Sequence, residues 1–449
     1  MLAPGKPITP KPLTGWTQRL PFANMLSFHY LLLRAWTAGS ALLAGLIQTF
    51  VFARVLDPER FSVFILVGAT GVSMWLFDLG LPKILFVRLR ERFLAGTDTQ
   101  PIAAEANAIA IFYAALVALG ALVCFAVMAM RPAVTTWQAA EFGLFFLFSA
   151  LNLAWFVLRN VSVAVDEYIF FESLEALRRV AYIALMLAML AGLPFSVFVI
   201  AINVVWAVLF GYAGSRLVRR GALTPQFRGV FWRLRGFFRE NGRASLRTGT
   251  HAAGEVYFHS VLYLVVPVVF GLGAPTIVID TALKIFFGSL NLCAAACDLL
   301  VPRQTAALAA RDQRTLIRAT LTAIGLGAIP ALALALILLV DANRLFSLLL
   351  GPAATMPPAV TPILIVLLAA GVAKSAPNIL MQHTGYFREI ARLSMINATV
   401  MTLAVGIGVL AHLEVIGLLA LYACAFVVSA LLYLGFAWRG PIRDARLGR

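Results

Sequence analysis

Apolar residues fill this chain in long blocks, broken by short clusters of arginine, proline and glycine. A helix needs about 20 predominantly apolar residues to cross the hydrocarbon core of a bilayer. On that rule the pattern predicts twelve spans, at about 27–53, 61–82, 102–130, 137–158, 179–193, 195–215, 249–272, 275–301, 319–340, 357–382, 390–411 and 415–438. The fifth is short, and is expected to begin earlier, in the amphipathic run before Arg178.

Lys and Arg counts in the short connections orient the spans, because basic loops stay on the cytoplasmic side. With a cytoplasmic N-terminus, 29 of the 36 basic residues fall inside, counting Arg179 and Arg392 at the cytoplasmic ends of their spans. Four fall outside (Arg54, Arg60, Arg131 and Arg344), and Arg34, Lys284 and Lys374 lie within spans. Both termini are therefore expected in the cytoplasm.

Composition agrees with the pattern: 61% of residues are hydrophobic, 12% are charged, and mean hydropathy is +0.91. A soluble domain carries about twice that share of charge. The net charge of +16 does not indicate nucleic-acid binding, since the surplus sits in membrane-flanking loops. Cys124, Cys293, Cys297 and Cys424 all lie in apolar stretches, which excludes a disulfide framework or zinc ribbon. The proline-rich segment 1–24 lacks the features of a cleaved secretory signal, so the first span is expected to act as an uncleaved anchor.

The longest inside loop carries nine arginines from Arg216 to Arg247, with Phe227, Phe231, Leu234 and Phe238 at helical spacing among them. That pattern predicts an amphipathic helix on anionic lipid headgroups. The resulting plan is a tail (1–26), an N-lobe (27–215), a basic linker (216–248), a C-lobe (249–438) and a basic tail (439–449). An internal echo supports duplication: Asp78, Leu79 and Pro82 recur as Asp298, Leu299 and Pro302 at a constant offset of 220 residues. Repeats of this kind are common among transporters.

Ionisable side chains inside a membrane are expensive and normally face a bundle interior or an aqueous cavity. Here they share faces. Asp280, Lys284, Asn291 and Asp298 fall within about 40° on span eight. His251, Glu255 and His259 form a stripe on span seven, and Lys374, Asn378 and Gln382 one on span ten, beside Pro377. Arg34, Thr37, Gly45 and Gln48 share a face of span one. Together these four faces are expected to line one cavity between the halves. Structural roles compete: Asp280 and Lys284 can neutralise each other, and Asp78 and Asp298 can cap helices or pair with loop arginines. Arg34 and Lys374 have no acidic neighbour within one turn of their own helices, which points to an anionic ligand such as phosphate. The His251–Glu255–His259 stripe lacks metalloprotease spacing and is read as a protonation-sensitive cluster rather than a metal site. No phosphate-binding P-loop is present.

The run from Arg34 to Leu81, RAWTAGSALLAGLIQTFVFARVLDPERFSVFILVGATGVSMWLFDLGL, resembles the opening of Wzx-type polysaccharide flippases of the multidrug/oligosaccharidyl-lipid/polysaccharide exporter superfamily. FARVLDPERFSVF and the Asp78-Leu-Gly-Leu ending of span two carry the likeness, with departures at Asp57 and Ser62, where the family often has Gly. The resemblance implies an all-α polytopic membrane protein with two six-helix lobes around a central cavity. It also implies alternating access, and a basic residue of the first helix receiving a lipid diphosphate. Arg34 is the position that matches in kind.

The reading is a flippase for a polyprenyl-diphosphate-linked oligosaccharide, serving surface polysaccharide biosynthesis in a bacterial inner membrane alongside polymerase machinery. Arg34, Lys284, Lys374, Asn291 and Asn378 are its expected substrate-binding residues. Glu255, His251, His259, Asp280 and Asp78 are its expected ion-coupling residues, for H+ or Na+, with no catalytic residue and no resident cofactor. The alternatives are a cation-coupled multidrug exporter of the same superfamily and a membrane glycosyltransferase or polymerase. The last would need a sizeable outside domain, whereas the longest outside segment, Asp341 to Met356, is about sixteen residues.

Overall fold

The computed structural model describes residues 25–132, 134–351, 355–384 and 386–447. The proline-rich N-terminal segment lies outside them. The described chain forms α1 (Met25–Val55), α2 (Pro58–Ser73), α3 (Leu81–Ala95), α4 (Gln100–Ala129), α5 (Thr136–Ala150), α6 (Asn152–Ala164), α7 (Tyr168–Leu190) and α8 (Phe195–Arg219). The second half forms α9 (Val230–Phe270), α10 (Ala274–Asp298), α11 (Val301–Ala309), α12 (Gln313–Leu350), α13 (Val360–His383), α14 (Phe387–Leu410), α15 (Val415–Ala437) and α16 (Arg443–Leu447). Among the described residues, eleven helical segments are long and apolar enough to cross a membrane. α7 is not one of them, because Glu175, Arg178 and Arg179 interrupt its apolar run. It nonetheless packs against α1 and α8 within the all-α polytopic fold.

Local chemistry sets the boundaries. Asp57 caps α2 by accepting the Arg60 backbone N–H at 2.8 Å, with Pro58 as the first helical residue. Thr135 and Gln138 form a reciprocal capping box at the start of α5. Span two stops early: a 3-10 turn (Met74–Phe77) leads to a corner at Asp78–Gly80, where Gly80 has φ +69°. α3 then starts with Pro82 in its first turn, and α11 starts after Asp298 with Pro302 in its first turn. The internal echo thus falls at two helix breaks of different backbone geometry, each followed by a shorter helix. α12 changes direction at Asp341 (φ −159°), whose carboxylate accepts the Arg344 N–H at 2.8 Å and starts the helix again.

The basic amphipathic segment is helical, but it is continuous with span seven. α9 runs 41 residues without a break, about 60 Å at 1.5 Å per residue. Its arginine-rich first half leans on α3 and α4 through Phe237 and Phe238.

Two large apolar cores divide the described residues into two lobes. One is built almost entirely from residues between Ala44 and Phe237, the other from residues between Phe258 and Ala430. α1 lies along the seam, packed on α7 on one side and on α10 and α12 on the other. At the end bearing the arginine-rich helices the lobes touch closely. A Cβ built on Gly80 would fall 1.8 Å from Thr248 Oγ1, and one on Gly249 would fall 3.0 Å from Leu79 Cα. At the opposite end, the Arg54 guanidinium of α1 donates to the carbonyls of Leu348 (2.9 Å) and Leu349 (3.2 Å) in α12.

Candidate functional site

Two adjoining chambers lie along the seam. The larger, of about 520 Å³, is walled by α1, α2, α5 and α7 of the first half and by α9 and α10 of the second. The smaller, of about 280 Å³, lies among α1, α6, α7 and α10. Asn152, Arg178, Arg179 and Asn291 line both, so the two share a wall.

The expected residues divide between this cavity and the protein interior. Asn291, Lys284, Asp280 and His259 line it, as do Thr37, Gly45 and Gln48 from α1. The Lys284 ammonium lies 2.7 Å from Asp280 and donates to Thr49 Oγ1 at 3.2 Å. His259 packs edge-on with Phe287 and tilted against Phe426, at centroid separations of 5.1 and 5.7 Å. The side chain of Arg34 is outside what the structure describes.

The α13 stripe does not join the cavity. Lys374 is buried in the second lobe, where its ammonium donates to Glu255 Oε2 at 2.7 Å. The rings of Phe258, Phe426 and Tyr433 surround it, the nearest centroid at 4.6 Å. Tyr433 donates its hydroxyl to the other Glu255 oxygen at 2.9 Å. His251 Nδ1 is 2.7 Å from Ser394 Oγ, and Asn378 accepts from Gln382 at 3.0 Å. Asp78 is fixed at its corner by the Gly80 N–H and the Tyr113 hydroxyl, each at 3.2 Å. Among the described residues, no three His, Cys, Asp or Glu side chains gather to hold a metal ion.

The most charged wall was not anticipated. Glu172, Glu175, Arg178 and Arg179 of α7, with Arg159 of α6, line the smaller chamber. Arg178 clamps Glu175 through two nitrogens, Nε at 2.9 Å, and Arg179 Nε donates to the same carboxylate at 3.1 Å. The Trp155 indole N–H donates to it as well, at 2.9 Å. Arg159 and Thr37 both donate to Glu172, at 3.1 and 3.2 Å. Arg179 therefore does not sit at a surface end of its span, as its placement among loop cations supposed. The signal was available: positions 172, 175 and 179 follow the three-and-four spacing of one helical face, which extends the helix through the charges.

No protein-family model and no curated protein matches the chain by sequence. Solved structures match it by shape over nearly its whole length. The outward-facing conformation of a multidrug resistance MATE family transporter of the MOP superfamily has TM-score 0.65 at 14% identity, covering 96% of this chain and 98% of its own. A MOP superfamily transporter from Pyrococcus furiosus, described as having a binding pocket of reverse polarity, has TM-score 0.64 at 14% identity, with 93% and 96% covered. The Vibrio cholerae MATE transporter VcmN, as a point mutant, has TM-score 0.62 at 14% identity, with 94% and 96% covered. At such identity the likeness is one of fold alone.

The flippase reading is corrected on this comparison, since the matching structures include MATE multidrug transporters. The site geometry removes part of its physical basis too. Lys374, without an acidic neighbour on its own helix, meets Glu255 at 2.7 Å from a helix 119 positions away. Lys284 meets Asp280 at 2.7 Å, the mutual neutralisation that their spacing allows. The chain is a polytopic membrane protein with the MATE-type transporter fold.

Proposed function

We propose that the protein is a cation-coupled exporter of amphipathic small molecules, working by alternating access of the cavity between its two lobes. One observation carries the reading: in a fold shared from end to end with MATE transporters, polar and charged residues from both halves, Arg178 and Arg179 from one and Asp280 and Lys284 from the other, line one chamber at their seam. Nothing about such a site calls for covalent chemistry. With both termini in the cytoplasm, as the basic loops argue, the arginine-rich half of α9 lies against anionic headgroups of the inner leaflet.

The coupling group is Glu255, and its ion is a proton. Both of its oxygens are already engaged, one by the Lys374 ammonium and one by the Tyr433 hydroxyl. A metal cation would have to displace a tethered ammonium, whereas a proton only has to redistribute within the cluster, and His251 and His259 lie one turn away on either side. Asp280, paired with Lys284 in the chamber wall, is the group through which occupancy of the cavity would be sensed.

Reconstitution tests the reading. Proteoliposomes holding the purified chain should move a fluorescent amphiphile against its gradient when a proton gradient is imposed, and stop when it is collapsed. Glu255→Gln should abolish uphill movement. Uphill movement driven by sodium alone would remove the proton assignment, and no uphill movement under any gradient would remove the exporter reading.

A further inference from the structure

The charges that line the cavity are unequal in number and in depth. Among the described residues, four cations (Arg159, Arg178, Arg179 and Lys284) face three carboxylates (Glu172, Glu175 and Asp280). The shortfall falls on Glu175, which serves both Arg178 and Arg179. The carboxylates Asp280 and Glu172 are sunk beneath their partners, with side chains 3% and 5% exposed, and Arg159 and Arg179 are 33% and 26% exposed. Glu175, at 15%, lies deeper than Arg179 though not than the buried Arg178. The open space therefore meets guanidinium before it meets carboxylate. Aromatic surface completes the walls: Trp75 and Phe156 in the smaller chamber, Phe148, Tyr182 and Phe287 in the larger. Asn152 and Asn291, shared by both, add neutral hydrogen-bonding groups.

We infer that this cavity selects amphipathic organic anions, an aromatic body against the rings and a carboxylate or sulfonate on Arg179 and Arg159. The inference rests on the exporter reading and names the substrate class of that same site. A guanidinium offers a planar pair of donors that suits a carboxylate or sulfonate. A second anion beside Arg179 relieves the sharing of Glu175 instead of competing with it. A cationic solute would approach two exposed guanidiniums with its only compensating carboxylates already engaged.

The test uses the full chain and two xanthene dyes of opposite charge, carboxyfluorescein and rhodamine 6G. Binding is read as dye anisotropy with purified protein in neutral detergent, and transport in proteoliposomes under a proton gradient. Carboxyfluorescein should bind at least about tenfold more tightly than rhodamine 6G and weaken as salt is raised. Arg179→Gln should lose about tenfold of that affinity, while Arg179→Lys, which keeps the charge and so separates recognition from misfolding, should lose less. Preference for rhodamine 6G, or binding of neither dye, would overturn the inference. Carboxyfluorescein bound with this selectivity yet never carried uphill would uphold the site and remove the exporter reading instead.

Discussion

At the scale of single residues, the second lobe holds its charges in pairs that no local sequence window shows. Glu255 and Lys374 lie 119 positions apart, so a search for partners within one turn finds Lys374 alone. Removing one member of a buried ion pair costs about 3–5 kcal/mol, because the survivor keeps its desolvation penalty without compensation. Lys374→Met should therefore destabilise the protein by that order, and Lys374→Met with Glu255→Gln should recover most of the loss. Thermal unfolding of the purified variants in detergent measures both, and a single variant as stable as the parent would contradict the pairing. On α2, Asp57→Ala should cost about 1 kcal/mol by removing the acceptor of the Arg60 N–H. The departure from glycine at that position is thus a helix cap.

At the scale of elements, most spans were legible because lipid imposes a length and a composition that few other constraints match. α4, α8, α14 and α15 begin and end within a few residues of the expected limits, since any charge they carry stays near one end of a long apolar run. Helices that violate the apolar rule were less legible. The apolar part of α7 is short, and the helix begins earlier, at Tyr168, within the amphipathic run before Arg178 as expected. Partners of its charges lie on α1 and α6, elements that a linear window does not see. α3 was folded into loop, being a polar helix outside the apolar blocks. The continuity of α9 was hidden by a change of environment along one helix: arginine and phenylalanine alternate in its first half, and the apolar run begins only later. The cavity was half legible: stripes on α1 and α10 reach it, while the α13 stripe is spent inside its own lobe.

At the scale of the whole molecule, the proposed alternating access would require the lobes to part at one end while meeting at the other. The meeting at the arginine-rich end depends on two residues without side chains, Gly80 against Thr248 and Gly249 against the Leu79 backbone. A disulfide between Leu79→Cys and Thr248→Cys, in a background lacking the four native cysteines, should stop transport and release it on reduction. Undiminished transport by the crosslinked protein would show that this contact does not open. The charged face of α7 has a further consequence, for how the chain enters the membrane at all. Each charge near the centre of a helix costs about 2.5–3.5 kcal/mol on insertion scales, so α7 cannot leave the translocon for lipid by itself. It must wait beside segments already delivered, with Thr37 of α1 and Arg159 of α6 taking Glu172 as it arrives. In truncated nascent chains carrying glycosylation reporters, α7 alone should fail to integrate, and should integrate once α1 to α6 precede it. Glu175→Ala, which strands two guanidiniums, should delay that step further. The ion pairs that shape the cavity thereby also set the order in which the first lobe is built.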